Sequence, residues 1–379
     1  MNRNLLLIAL SLFTWGLGES AYFPLIPLYL QKLEANPFQI GAIIGGFSLV
    51  GSISYLPGGY LSDRIGRRPM IVAGWAIGVI ATFLMAVSSR LEFFVPAYLF
   101  YGLSVFVLPP MNSYITEARG KLSTGRALTL TSAFYNLGAI VGPLFGGKFA
   151  DVFGFRLLFF VATGIYIIST AIVYFIHPQP LDEKSKDDHS NRLLANQKFL
   201  MFLVVLFFAM FTMYLPQPLA SNYLQNQQNL NLTQIGQLYS INALGIVILN
   251  LVLGHTDPRR GFLLGQAAVG IFALILWRCT GMPWFILAFF LVGGFRAARP
   301  LAVAQVRSFV SPSIMGIAYG LADTVNAIAM ILAPLLAGIL YDINPSWIFS
   351  WSFLAILLSL ILASLVTVTQ KHQPLVEYR

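Results

Sequence analysis

The sequence predicts an all-α integral membrane protein whose twelve transmembrane helices form two six-helix bundles. Three observations carry that prediction. Of 379 residues, 57% are hydrophobic and only 10% charged, with a mean hydropathy of +0.76, whereas soluble domains carry about a quarter charged residues. Twelve apolar segments are each long enough to cross a bilayer, which takes roughly 20 residues. The first half of the chain also recurs in the second at an offset of 191 residues.

The spans run over residues 5–30, 38–61, 70–88, 92–115, 126–150, 155–176, 198–224, 233–254, 262–280, 283–308, 314–341 and 347–369. The first 30 residues are too long and too apolar for a cleaved signal peptide and read as the first span. Between the sixth and seventh spans the chain turns polar, with Pro-Gln-Pro-Leu-Asp-Glu-Lys-Ser-Lys-Asp-Asp-His inside residues 177–197. This linker divides an N-terminal bundle (1–176) from a C-terminal bundle with a short tail (198–379).

Positive charge sets the orientation, because Lys and Arg concentrate in cytoplasmic loops. With the N-terminus inside, cytoplasmic segments hold Arg3, Arg64, Arg67, Arg68, Arg119, Lys121, Arg126, Lys184, Lys186, Arg192, Lys198, Arg259, Arg260, Arg307, Lys371 and Arg379, sixteen of the 23 cations. Outer segments hold only Lys32, Arg90, Lys148, Arg156 and Arg278. Both termini are therefore expected in the cytoplasm, with the bundle in the cell membrane. The net charge of +9 reads as topology and not as a nucleic-acid footprint. The single cysteine, Cys279, excludes an intramolecular disulfide, and no metal or cofactor is expected.

The repeat superposes Gly102 on Gly293, Gly125 on Gly316, Ala127 on Ala318, Pro143 on Pro334, Gly147 on Gly338 and Asp151 on Asp342. Gln39-Ile40-Gly41 likewise recurs as Gln234-Ile235-Gly236 before spans two and eight. An even number of spans per repeat makes the repeats parallel, related by an axis along the membrane normal.

Between spans two and three, Gly59-Tyr60-Leu61-Ser62-Asp63-Arg64-Ile65-Gly66-Arg67-Arg68 packs one acid and three arginines into ten residues. Lipid cannot solvate that charge, so a tight cytoplasmic loop is expected. The stretch resembles the signature loop G-x-L-x-D-R-x-G-R-R of the major facilitator superfamily. In the fifth span, Gly138-x-x-x-Gly142-Pro143-x-x-Gly146-Gly147 is similar to that family's antiporter motif, which is associated with proton-coupled efflux. Its glycines form a flat face for close helix approach, and Pro143 bends the helix.

The resemblance covers the whole chain. It implies a secondary transporter working by alternating access, with a central cavity lined by spans one, four, seven and ten. It also implies that Asp63, Arg64, Arg67 and Arg68 form a conformational latch, with Glu117, Arg119 and Arg126 as candidate partners. The plainer reading is that these arginines only enforce topology. Span four departs from the family's drug antiporters, which commonly carry Arg-x-x-x-Gly. With Gly102 as the matching glycine, Tyr98 stands at the arginine position. Coupling then runs through other residues, or the protein lies outside that branch.

Four charges remain inside spans: Glu19, Arg296, Arg299 and Asp323. An ionisable group at membrane depth is costly and marks function or a partner. From the helical rise of about 1.5 Å per residue, Arg299 and Asp323 should sit level and pair. Arg296 lies one turn deeper on the same face, either facing an anionic substrate group or sharing Asp323. Glu19 lies near mid-membrane and is the leading proton carrier, with Asp323 second. Desolvation raises a carboxyl's pKa and an approaching cation lowers it, so a cavity carboxyl can exchange a proton for substrate. Candidate cavity residues are Tyr22, Phe23, Tyr98, Tyr101, Asn112, Asn222 and Tyr223, with Tyr135 and Asn242 on flanking spans; aromatic walls suit an amphipathic ligand.

An enzyme is improbable on this sequence. His177, His189, His255 and His372 fall in or beside loops, and no nucleophile motif or phosphate loop is present. A sensing receptor would need a signalling domain that the linker and tail are too short to supply. The expectation is a monomeric transporter whose partners are a small-molecule substrate, protons and the bilayer. It exports amphipathic or drug-like compounds against protons, or alternatively carries a small organic anion held by Arg296 or Arg299.

Overall fold

The computed structural model describes residues 2–179, 196–310 and 315–366. Most of the linker and the C-terminal tail, with Lys184, Lys186, Arg192, Lys371 and Arg379, lie outside the described residues. Among those described there is no strand, and twelve helices are long and apolar enough to cross a membrane. They are α1 (Arg3–Lys32), α2 (Pro37–Ile65), α3 (Arg67–Val87), α4 (Leu91–Glu117), α5 (Thr124–Phe153) and α6 (Phe155–Tyr174), then α7 (Gln197–Tyr214), α8 (Leu232–Gly254), α9 (Pro258–Arg278), α10 (Met282–Ser308), α11 (Met315–Ile343) and α12 (Trp347–Val366). Helices answer the demand of lipid that every backbone polar group be satisfied within the segment.

Four spans are broken, and they are α1, α4, α7 and α10. A 3-10 turn interrupts α1 at Phe23–Leu25 and α4 at Ser104–Val107. In α10, Gly293 separates Met282–Val292 from Gly294–Ala304, and a second 3-10 turn follows at Gln305–Ser308. The seventh span, expected to be continuous over 198–224, is not: helix ends at Tyr214 and resumes at Ala220–Asn226. Pro216 and Pro218 fall in the gap, and proline supplies no N–H to carry a helix through.

The signature stretch also differs from the expected loop. Helix continues to Ile65, and only Gly66, at φ +97°, separates α2 from α3. A positive φ suits glycine and few other residues, so one glycine makes the whole turn.

The repeat is visible in the packing. α1 packs on α5 and α6, α3 on α6 and α2 on α4; the equivalent pairs in the second half are α7 on α11 and α12, α9 on α12, and α8 on α10. The recurring Gln-Ile-Gly proves to be a helix start. Asn36 and Gln39 form a reciprocal capping box at α2, and Asn231 and Gln234 form the same box at α8, satisfying N–H groups that have no intrahelical partner.

Between halves, α2 packs on α11 and α5 on α8. Both seams lie toward one end of the bundle, called outer for the charge bias that assigns it there. One apolar core runs from the first half into Leu219, Tyr223, Ile235, Tyr341 and Phe349 near the outer end of the second. A separate core around Phe199, Phe202, Phe262 and Val306 fills the inner end of the second half. The halves are therefore fused outside and separate inside.

Candidate functional site

Glu19 lies on α1, one turn before the Phe23–Leu25 break. Tyr101 of α4 donates its hydroxyl to Oε1 at 2.9 Å, and Tyr135 of α5 donates to Oε2 at 2.9 Å. Each carboxylate oxygen thus accepts one phenol from a different helix. Behind Tyr101 the hydroxyls continue, 2.8 Å to Tyr166 of α6 and 3.3 Å from Tyr166 to Tyr22 of α1. Because Tyr101 donates to Glu19, Tyr166 donates to Tyr101 and Tyr22 to Tyr166. Trp15 stacks on Tyr166 with centroids 4.3 Å apart and lies 4.7 Å from Trp75. Trp75 in turn donates to Ser169, whose hydroxyl donates to the Ser11 carbonyl. The carboxyl sits at the end of an aromatic, hydrogen-bonded wall built by α1, α3, α4, α5 and α6.

The glycines of α5 bring that wall together. A Cβ on Gly138 would collide with the Phe13 carbonyl and lie 2.6 Å from the Leu17 nitrogen. One on Gly142 would lie 2.6 Å from the Leu17 carbonyl, and one on Gly146 would overlap the Ala21 carbonyl. The expected flat face is present, and α1 is what it receives. Gly147 and Pro143 turn the other way and meet Leu232 and Gly236 of α8.

In the second half, Arg299 of α10 donates to Asp323 of α11 at 2.9 Å, the pairing that their depth predicts. Their side chains remain 41% and 54% exposed although both lie inside spans. Arg296, one turn deeper, is also exposed, and its side chain makes no ion pair or hydrogen bond among the described residues. Exposed charge at mid-span, beneath a sealed outer end, defines a cleft between the halves that opens toward the inner end.

The other candidate residues separate into three places. Tyr22, Tyr98 and Tyr101 are each 1% exposed; Tyr98 stacks on Phe47 at 4.7 Å, so these rings are wall and present no open face to the cleft. Asn222 and Tyr223 belong to the outer closure. Asn222 donates to the Pro27 carbonyl at 3.1 Å and to Gln31 at 2.6 Å, and Tyr223 packs on Phe349. Asn112 is exposed on the inner half of α4, and Asn242 bonds the Phe289 carbonyl.

The expected partners of Asp63 are not found. Asp63, Glu117 and Arg126 are all exposed, and no ion pair joins them among the described residues. The arginines are engaged elsewhere. Arg64 lies 4.3 Å over the Tyr60 ring, Arg67 donates to Gln179 and Arg68 to the Tyr174 carbonyl. At exposed positions an ion pair contributes at most about 1 kcal/mol, so little holds Asp63 to α4 or α5.

Gln31, Trp15, Tyr166, Asn226 and Tyr341 are functional candidates that sequence reasoning missed. Nothing in their spacing separates them from ordinary span residues. Asp151 did carry a signal, its recurrence as Asp342.

Two pseudo-symmetric six-helix halves, sealed at one end over a cleft whose wall holds one half-buried carboxyl, define a membrane solute transporter. The chain belongs to the Major Facilitator Superfamily, whose family model matches residues 8–256 and 202–377. It is similar to the quinolone resistance protein NorA of Staphylococcus aureus, 24% identical over 98% of each chain. It also resembles an uncharacterized transporter of the same type from Methanocaldococcus jannaschii, 29% identical over 49% of each chain, so that match spans about half the relative's length. Among solved structures, the nucleoside transporter NupG shares the fold at TM-score 0.81 and 15% identity, covering 96% of this chain and 99% of that one.

Proposed function

We propose that this protein is a proton-coupled exporter of amphipathic small molecules from the cytoplasm, with Glu19 as the proton-exchanging group. The observation that carries this reading is the clasp of Tyr101 and Tyr135 on Glu19, 2.9 Å each. It fixes one titratable carboxyl at the boundary between the aromatic wall and the inner cleft. The glycine-rich face of α5 and the similarity to a quinolone resistance protein support export of drug-like compounds. Arg64, Arg67 and Arg68, with the other cations at the inner end, support cytoplasmic termini in a cell membrane. The signature segment around Asp63 then acts as a latch of the opposite access state, in which the inner ends close. The test is proton flux in proteoliposomes under an imposed pH gradient. Addition of an amphipathic cation such as ethidium should release protons in the wild type and not in Glu19→Gln.

A second reading is favoured by Arg296, exposed and without an ion pair while Arg299 is neutralised by Asp323. Glu19, Arg296, Arg299 and Asp323 are together neutral when Glu19 is ionised. Net charge at membrane depth is costly. Exchanging the Glu19 proton for a cation leaves the site at the same net charge of +1 as the protonated empty state, whereas a monoanion on Arg296 is neutralised by keeping the proton. Exchange of proton for cation and joint movement of proton with anion are the two signatures. If wild-type vesicles ignore ethidium and carry an amphipathic sulfonate with protons in the same direction, with loss in Arg296→Ala, the second reading replaces the first.

A further inference from the structure

The two seams of the outer closure are related by the repeat but are not chemically alike. On the α5–α8 side, Asp151 accepts from the Leu232 N–H at 3.1 Å, from the Thr233 N–H at 2.7 Å and from the Thr233 hydroxyl. The carboxylate caps the first turn of α8 from the other half, with charge-assisted bonds and a favourable helix dipole. On the α2–α11 side, the equivalent acid is Asp342, and the residues equivalent to Leu232 and Thr233 are Pro37 and Phe38. The equivalence is structural as well as sequential: a Cβ on Gly147 would meet the Leu232 carbonyl, and one on Gly338 would lie 2.6 Å from the Pro37 carbonyl. Pro37 has no N–H and Phe38 has no hydroxyl. Asp342 is exposed and its carboxylate makes no hydrogen bond among the described residues.

The α2–α11 side also holds a polar-lined space. A cavity of about 150 Å³ lies there, lined by Gln31, Pro37, Ile40, Asn222, Asn226 and Tyr341 among others. The bonds across it are neutral, with Asn226 reaching Tyr341 at 3.3 Å and Gln31 at 3.0 Å. Asn222, 1% exposed, leaves its Oδ1 without a partner. Volume and an unpaired acceptor together provide room for water to enter this seam first.

We infer that Asp151 pins the α5–α8 seam as the hinge of the outer face, and that this face opens along the α2–α11 seam. Solute leaves or enters past Gln31, Ile40 and Tyr341. Asp151 touches no solute and is a positioning residue, acting through the first turn of α8. The inference rests on the alternating-access reading above.

Ile40 and Ile235 are matched reporters, since both occupy the same place in the recurring Gln-Ile-Gly and are 1% and 0% exposed. Each is replaced singly by Cys in a Cys279→Ser background, and labelling by a membrane-impermeant maleimide from the outside is timed under a pH gradient. Ile40→Cys should label faster than Ile235→Cys. Adding Asp151→Ala should raise labelling at position 235 by about tenfold, the effect of roughly one net charge-assisted hydrogen bond, whereas adding Asp342→Ala should change neither position. Thr233→Val removes a single donor and should move position 235 in the same direction by less, which keeps the test decisive if Asp151→Ala folds poorly. Equal labelling of the two reporters, or equal effects of the two Asp variants, overturns the inference. Labelling that does not respond to the gradient or to any variant removes the alternating-access reading with it.

Discussion

Tyr135 reaches Glu19 at 2.9 Å only because α5 lies against α1 with almost no side chain between them. Tyr135 is one turn before Gly138, and a Cβ on Gly16 would collide with the Tyr135 carbonyl itself. The glycine pattern that reads as a close-packing motif therefore also sets the clasp on Glu19. Gly138→Ala should push the helices apart, destabilise the protein by about 1–3 kcal/mol and weaken proton coupling. A thermal-shift assay in detergent with parallel proton-flux measurement checks both, and a stable variant with intact coupling would separate packing from coupling.

The phenol clasp makes its own prediction. Tyr101→Phe and Tyr135→Phe each remove one donor to an ionised carboxylate and leave the ring in place. Each should change the pH dependence of transport, and the double variant should approach Glu19→Gln, whose transport no longer follows the pH gradient. Initial rates across a pH series in vesicles read this out; unchanged profiles would mean that the hydroxyls only pack.

Arg299 and Asp323 form an ion pair at 2.9 Å with 41% and 54% of their side chains exposed. A solvated pair contributes only about 0.2–1 kcal/mol, so Asp323→Asn should leave the melting temperature nearly unchanged. It should instead free Arg299 and strengthen binding of an amphipathic anion, measured by titration against Trp15 fluorescence. Loss of anion binding in this variant would show that the pair, and not either charge alone, forms the site.

Asp63 is exposed and lies far along the chain from the clasp. Asp63→Asn should slow maximal transport and leave substrate affinity nearly the same, as a latch of the opposite state would. Rate and equilibrium binding measured on the same preparation decide it, and a large fall in affinity would place Asp63 in the substrate site.

Legibility followed the range of the interaction. Span number, the 191-residue repeat and the level of Arg299 with Asp323 were readable, because hydropathy and helical rise act along the chain. The turn at Gly66 was misjudged as a longer loop, because charged side chains at a helix end can reach water while their backbone stays helical. The break in α7 could have been read from Pro216 and Pro218.

The sequence by itself determined the membrane setting, the twelve spans and the repeat of the halves, since each follows from composition, periodicity or fixed spacing, and its motifs carried the resemblance to the family. Only the tertiary structure decided that Glu19 is held by Tyr101 and Tyr135, that the tyrosines expected in the cavity are its wall, and that Asp151 bridges the halves where Asp342 does not. Those facts depend on which residues distant in sequence meet. That meeting is set by how closely glycine faces let helices approach and by which seam of the closure offers an N–H to a carboxylate.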